Sequence, residues 1–262
     1  MTFLGATLTP PCVPIWRVGR SERPWEFTDW MWSTNGRFYG RFDDPQGLYR
    51  VVYAATDRVG AFLEALRDFR LSESFASELD EYGPADAIEP GVVPRSWLSD
   101  RWIASAVLKG RFADIHHSEW VGYLHRTLGP RFAQWHISEL DGGSLRSTTN
   151  EDITRTVSRL IYEATEGGQP LFAGIGYESR FGSDLRCWAV FEHPEVAERP
   201  WTGMDAAPID AEDADLSEAC RIHGIRLEAE REASSSRPMR GTDDERSRGG
   251  PTWWEGRGPT DW

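Results

Sequence analysis

At 262 residues the chain is long enough for one large domain or two small ones, and 39% apolar residues, with thirteen tryptophans among them, suffice for a buried core. A net charge of −13, from 29 Lys and Arg against 42 Asp and Glu, argues against a nucleic-acid partner, which needs clustered cations to neutralise phosphates. Three cysteines without paired spacing (Cys12, Cys187, Cys220), no signal-peptide pattern and no apolar run of ~18–20 residues predict a cytoplasmic protein with no membrane span.

Residues 1–14, rich in Pro and Thr, read as an irregular lead-in, and Ile15–Val18 as a short strand. From Gly19 to Asp44 the chain is dense in Trp, Gly and Arg without periodicity, which predicts an ordered loop whose aromatic side chains pack on something. Leu48–Ala55 is rich in β-branched and aromatic types and reads as a strand. Thr56 is a candidate N-cap for a helix to about Arg70, with Val59, Phe62, Ala65, Leu66 and Phe69 on one face.

Residues 71–94 carry acids and prolines and predict a turn-rich excursion. A strand near Trp102–Leu108 and a helix over Ser118–Leu128 follow. Ser147–Glu166 is the clearest helix, with Ile153, Val157, Leu160 and Ile161 as its stripe and Gly167-Gly168 as its stop. Leu171–Ile175 and Arg186–Phe191 read as strands flanking a loop, Gly176–Gly182. Past residue 205 an acidic stretch predicts a helix from about Ala211 to Glu230. From Ala233 the chain is polar and rich in Gly and Pro, the composition of a disordered tail, in which Trp253, Trp254 and Trp262 stand out. Helices and strands are interspersed without a regular βαβ beat, so the predicted class is α+β, a compact mixed sheet with packed helices.

Most familiar chemistry is not signalled. His116-His117 has metal-binding atoms, but adjacent histidines diverge on any regular element and no HExxH spacing is present, so the pair reads as solvated surface and no metal is predicted. No GxSxG elbow and no GxxxxGK[ST] loop occurs. What remains is polar residues set among apolar ones. Arg17 interrupts Ile15–Val18, Arg41 lies in a tight-turn context, Glu64 is the only charge in Ala61–Leu66, and Ser179 lies between two strands. Singly, each has an ordinary reading: an edge-strand arginine, a turn residue, or a glutamate opposite Phe62 and Leu66 on a helical projection.

Together, four blocks resemble the RES domain, a family named for its arginine, glutamate and serine. They are Trp16-Arg17-Val18; Gly40-Arg41-Phe42-Asp43 running into Tyr49–Ala55; Ala61–Leu66; and Gly174–Phe181 followed by Cys187–Phe191. The similarity spans about residues 12–195 in the same order. One departure lies in the helix before the last block, where the family's Thr-Gln pair reads Thr154-Arg155.

The resemblance implies a fold like that of the ADP-ribosyltransferases and a reaction that consumes NAD+ as substrate, with no cofactor required. Cleavage would proceed by hydrolysis or phosphorolysis, or by ADP-ribosyl transfer to a protein; a non-catalytic binding module is the remaining alternative. Many such domains are toxins neutralised by an antitoxin protein. The family's three residues fall on Arg17, Glu64 and Ser179, the expected catalytic set, while Arg41 and Tyr53 match further NAD+-binding positions. The expected organisation is a lead-in at 1–14, a RES-like catalytic domain at 15–205, an acidic helical extension at 206–232 and a tail at 233–262.

Overall fold

The computed structural model describes residues 6–20, 22–70, 91–133, 139–147 and 151–230; the tail and most of the 71–94 excursion lie outside the described residues. In chain order the strands are β1 (Thr7–Leu8), β2 (Ile15–Arg20), β3 (Val51–Ala55), β4 (Val92–Val93), β5 (Arg101–Leu108), β6 (Phe112–Asp114), β7 (Thr165–Glu166), β8 (Gln169–Pro170), β9 (Gly174–Ser179), β10 (Gly182–Phe191), β11 (Trp201–Pro208) and β12 (Arg226–Leu227). The helices are α1 (Arg58–Ala65), α2 (Arg95–Ser99), α3 (Ser118–Ala133), α4 (Gly142–Arg146), α5 (Glu151–Tyr162) and α6 (Ala214–His223).

Eight strands form one sheet in the order β1-β6-β9-β10-β3-β2-β5-β11. Its pairs are antiparallel except β6 with β9, which run parallel. The architecture is the mixed α+β class read from the sequence.

Side-chain alternation along each strand divides the core. On one face Val18, Val51, Tyr53, Ile103, Ile175, Tyr177, Cys187 and Phe191 meet apolar residues of α1, α3, α4, α5 and α6. On the other, Ile15, Val52, Ala54, Ala104, Trp188 and Val190 are covered by Trp25 and Phe27, from the loop after β2. That loop accounts for part of its aromatic content, while Met31, Trp32 and Tyr39 remain exposed.

Several predicted boundaries move, for local reasons. The helix expected from Thr56 to Arg70 is α1 alone, entered at Asp57 and followed by a single 3-10 turn at Arg67–Phe69. Helix α5 ends at Tyr162, and Gly167-Gly168, both at positive φ, turn the β7–β8 hairpin instead of stopping a helix. Strand β9 runs on to Ser179, so the predicted Gly176–Gly182 loop shrinks to the turn between β9 and β10.

The expected boundary at 205/206 falls inside β11, which pairs with β5. Helix α6 is shorter than predicted because Gly224, in the left-handed region, ends it. Its Leu216, Ala219 and Cys220 belong to the main core. At its start, Asp213 caps α6 and forms an ion pair with Arg58 of α1.

Candidate active site

Helix α1 is the element that breaks the sequence expectation. A helical projection points Glu64 away from the apolar stripe, yet Glu64 is only 4% exposed. The helix lies between the sheet and α6, so Gly60 through Glu64 are all buried in succession. Enclosed on both sides, α1 turns its one carboxylate toward the end of β9.

There the Ser179 hydroxyl donates to Glu64 Oε1 at 2.5 Å. The same hydroxyl oxygen accepts from the backbone N–H of Phe181 at 3.0 Å, which leaves its single hydrogen directed at the carboxylate. Cys187 Sγ, one strand over, is 4.0 Å from Glu64 Oε1. Burial first, and then the Glu64 charge, push the Cys187 thiol well above its ordinary pKa, so it stays protonated. Tyr177 is likewise pushed up by burial and by the neighbouring Cys187 and Glu64. Around the carboxylate, then, the hydroxyl and thiol groups are neutral and able to donate.

The cation is Arg41. Its guanidinium lies over the rings of Phe42 and Tyr177, 5.0 Å from each centroid, and donates to the Leu145 carbonyl at the end of α4. Burial lowers its pKa, while Tyr177 and Glu64 act in the opposite sense. The loop carrying Arg41 is tied down from below. Tyr53 donates its hydroxyl to Asp43 Oδ1 and accepts from the Phe42 N–H, both at 2.9 Å, and Asp43 accepts from the Gly40 N–H. A side chain at Gly40 would stand 2.6 Å from the Tyr53 hydroxyl, so only glycine lets the loop close on it. Tyr53, expected in the cleft, thus has its hydroxyl committed beneath the loop.

Arg155, in place of the glutamine of the resembling family, completes this support by donating to the Tyr39 carbonyl at 2.8 Å and the Gly40 carbonyl at 3.3 Å. A helix-borne arginine therefore holds the residue preceding Arg41.

Asp43 carries a pH signature. Burial raises its pKa from 3.8 to about 6, against the lowering effect of the Tyr53 hydrogen bond. The folded state therefore holds this proton to higher pH than the unfolded chain. Its contribution to stability is present below about pH 4 and falls away as pH rises to about 6, by on the order of 3 kcal/mol. Asp213, lowered chiefly through Arg58, works in the opposite sense. The expected result is accordingly a difference: urea midpoints of Asp43→Asn and wild type should converge or cross as pH rises from 4 to 6, and parallel curves would contradict it.

Arg17 is placed elsewhere. In β2 it shares a face with Ile15, while Trp16 and Val18 pack on the helix side. It is 2% exposed, donates Nε to the Pro24 carbonyl at 2.6 Å and NH1 to the Tyr53 carbonyl at 2.9 Å. The structure therefore brings Arg41, Glu64 and Ser179 together and sets Arg17 on the opposite face of the sheet.

A second polar cluster adjoins the site. His116, read from sequence as half of a solvated pair, is instead largely enclosed. Its Nδ1 accepts from the Glu178 N–H at 3.1 Å, which assigns the ring hydrogen to Nε2. Burial, with Arg41, Arg146 and Arg186 nearby, lowers its pKa to about 3, so the ring is neutral at ordinary pH. Glu178 pairs with Arg146, and Asp114 with Arg186 at 2.9 Å. Nε of Arg41 and Nε2 of His116 are buried N–H groups with no partner among the described residues. Such donors are costly to leave unmet, by about 1–3 kcal/mol each, and they suit an acceptor-bearing ligand. No group of three or more metal-ligating side chains occurs among the described residues.

Tyr177 and Cys187 become legible once β9 is known to run through Ser179. Tyr177 stands two residues before Ser179 on β9 and so shares its face, and Cys187 pairs directly with Tyr177 across the ladder. His116 offered no such signal.

The family model for the RES domain matches residues 14–210. The chain belongs to the RES-domain family. The match takes in Arg17, Arg41, Tyr53, Glu64 and Ser179, and ends before α6. Searches of curated proteins and of solved structures find no match. Membership in the RES-domain family is consistent with an enzyme that acts on NAD+. No helix among the described residues is long and apolar enough to cross a membrane.

Proposed function

We propose that this RES-domain protein cleaves the bond between nicotinamide and ribose in NAD+. The observation that carries the reading is the 2.5 Å hydrogen bond between Ser179 and Glu64, two buried polar side chains 115 residues apart, beside the Arg41 guanidinium. A buried carboxylate with a donor fixed to one oxygen is of little use to a packed core. It is of use where positive charge develops.

In the reaction the C1′–N bond breaks heterolytically and its electron pair leaves with nicotinamide, whose ring nitrogen becomes neutral. The ribose acquires oxocarbenium character. Glu64, oriented by Ser179, stabilises that charge with its second oxygen, and an incoming nucleophile adds to C1′, any proton it carries passing to solvent. Nicotinamide is already a fair leaving group, so orientation and electrostatics carry the rate without a strong acid. The Arg41 fork, its unmet Nε–H and the adjoining His116 Nε2–H suit the pyrophosphate oxygens. Arg17 supports the site from behind, through the Tyr53 backbone.

Incubation of the purified protein with NAD+ should release free nicotinamide. A rate equal to that of buffer alone would overturn the reading. Carrying out the reaction with and without phosphate, and with labelled NAD+ in the presence of protein acceptors, identifies the group that receives the ADP-ribosyl unit. Replacing Arg155 by the family's glutamine is expected to loosen the Tyr39–Gly40 segment. The loss of about one net hydrogen bond should raise KM for NAD+ roughly 3–10-fold with kcat little changed. An unchanged KM would remove Arg155 from the support of the Arg41 loop.

A further inference from the structure

Helix α6 lies beyond the RES-domain match, yet its last residue touches both halves of the proposed active site. His223 Nε2 is 2.6 Å from the Leu63 carbonyl oxygen. A carbonyl only accepts, so Nε2 carries the hydrogen. Leu63 is the residue before Glu64, and its carbonyl is among the last four of α1, which have no donor within the helix. The edge of the same imidazole meets Phe181, with ring centroids 4.8 Å apart and planes at 70°. Phe181 in turn donates its backbone N–H to Ser179 Oγ, and the guanidinium groups of Arg70 and Arg180 lie over its ring at 5.0 and 5.2 Å.

Four links close a loop, and three of them are His223 to the α1 backbone beside Glu64, His223 to the ring of Phe181, and Phe181 to Ser179. The fourth is the Ser179–Glu64 hydrogen bond itself. The imidazole is held in place because α6 is anchored at its start by Arg58 with Asp213 and Asp215, and along its length by Leu216, Ala219 and Cys220. We infer that His223 is a positioning residue that holds α1 and the β9–β10 turn at the separation the Ser179–Glu64 contact requires. The segment after residue 210 is then part of the enzyme and not an appendage. The kinetic arm of this inference rests on the NAD+ reading; the placement of His223 does not.

His223→Ala removes both contacts, while His223→Gln keeps an N–H that reaches the Leu63 carbonyl. Small misplacements of reacting groups are kinetically expensive, so His223→Ala should lower kcat for nicotinamide release by about 10–100-fold with KM within about threefold, because the Arg41 loop is untouched. His223→Gln should recover much of that loss. In parallel, amide hydrogen exchange should accelerate at Phe181 and at the C-terminal end of α1 in His223→Ala, while β5 and α5 keep their protection. Exchange is read whether or not the wild type cleaves NAD+, so a wild type without activity would fail the NAD+ reading alone. Unchanged exchange at Phe181, uniform acceleration across the fold, or unchanged kcat in an active wild type would each overturn the role given to His223.

Discussion

Glu64→Gln is expected to lower the rate of nicotinamide release by about 10²–10³-fold while leaving the fold intact. Glutamine has the same shape and retains a carbonyl oxygen to accept the Ser179 hydroxyl, so the hydrogen bond seen at 2.5 Å survives in form. What disappears is the negative charge that, on the proposed reaction, only the transition state needs. KM for NAD+ should therefore stay within a few-fold, since binding falls mainly to Arg41 and its surroundings. Because an ionised group leaves an enclosed site, thermal stability should hold or rise. Ser179→Ala should cost less, about tenfold, since the carboxylate remains and only its orientation is relaxed. The double variant should resemble Glu64→Gln alone, as the serine acts through the carboxylate. Nicotinamide release at the wild-type rate from Glu64→Gln, in protein whose melting curve shows it folded, would remove Glu64 from the chemistry.

Whether such a residue can be seen in a sequence depends on what encloses its helix. The spacing of Phe62, Ala65 and Leu66 locates the core-facing stripe of α1 correctly, but a projection assumes that the opposite face meets water. Here that face meets the ends of β9 and β10, so the Glu64 carboxylate is buried against Ser179 and Cys187, 115 and 123 residues away, and no local pattern reports it. Ser179 was read as a loop residue because Gly176 and Gly182 bracket it. Gly176 instead lies within β9, where a side chain would stand 2.5 Å from Leu8 Cδ1 and displace the end of that leucine. His116 read as solvated because adjacent histidines diverge and no metal-ligand spacing claims them, whereas β6 ends just before it and the ring lies under Glu178. The strands around Ile15, Val51, Trp102 and Arg186 were legible because their residue types and alternation carry the signal within a few positions. Family resemblance located the arginine, glutamate and serine in sequence; it did not say on which side of the sheet each would lie.

That question makes Arg17 the sharpest test of the structure. Substitution to Ala should destabilise the fold by about 3–5 kcal/mol, because it leaves the buried carbonyls of Pro24 and Tyr53 without their donor and opens a cavity at the packed centre of the sheet. In a domain of this size that corresponds to a fall in Tm on the order of 10 °C. Activity measured at 37 °C would then fall with the folded population, and it would look like the loss of a catalytic residue. The two roles separate at low temperature. Where Arg17→Ala remains folded, turnover per folded molecule should be within about threefold of wild type, since Arg17 lies on the face of the sheet away from α1. Arg17→Met, which keeps the aliphatic stem, should recover part of the stability and none of the hydrogen bonds. A variant with unchanged Tm and a collapsed kcat would place the guanidinium on the substrate, a result that this strand register, with Arg17 and Ile15 on the face away from α1, does not permit.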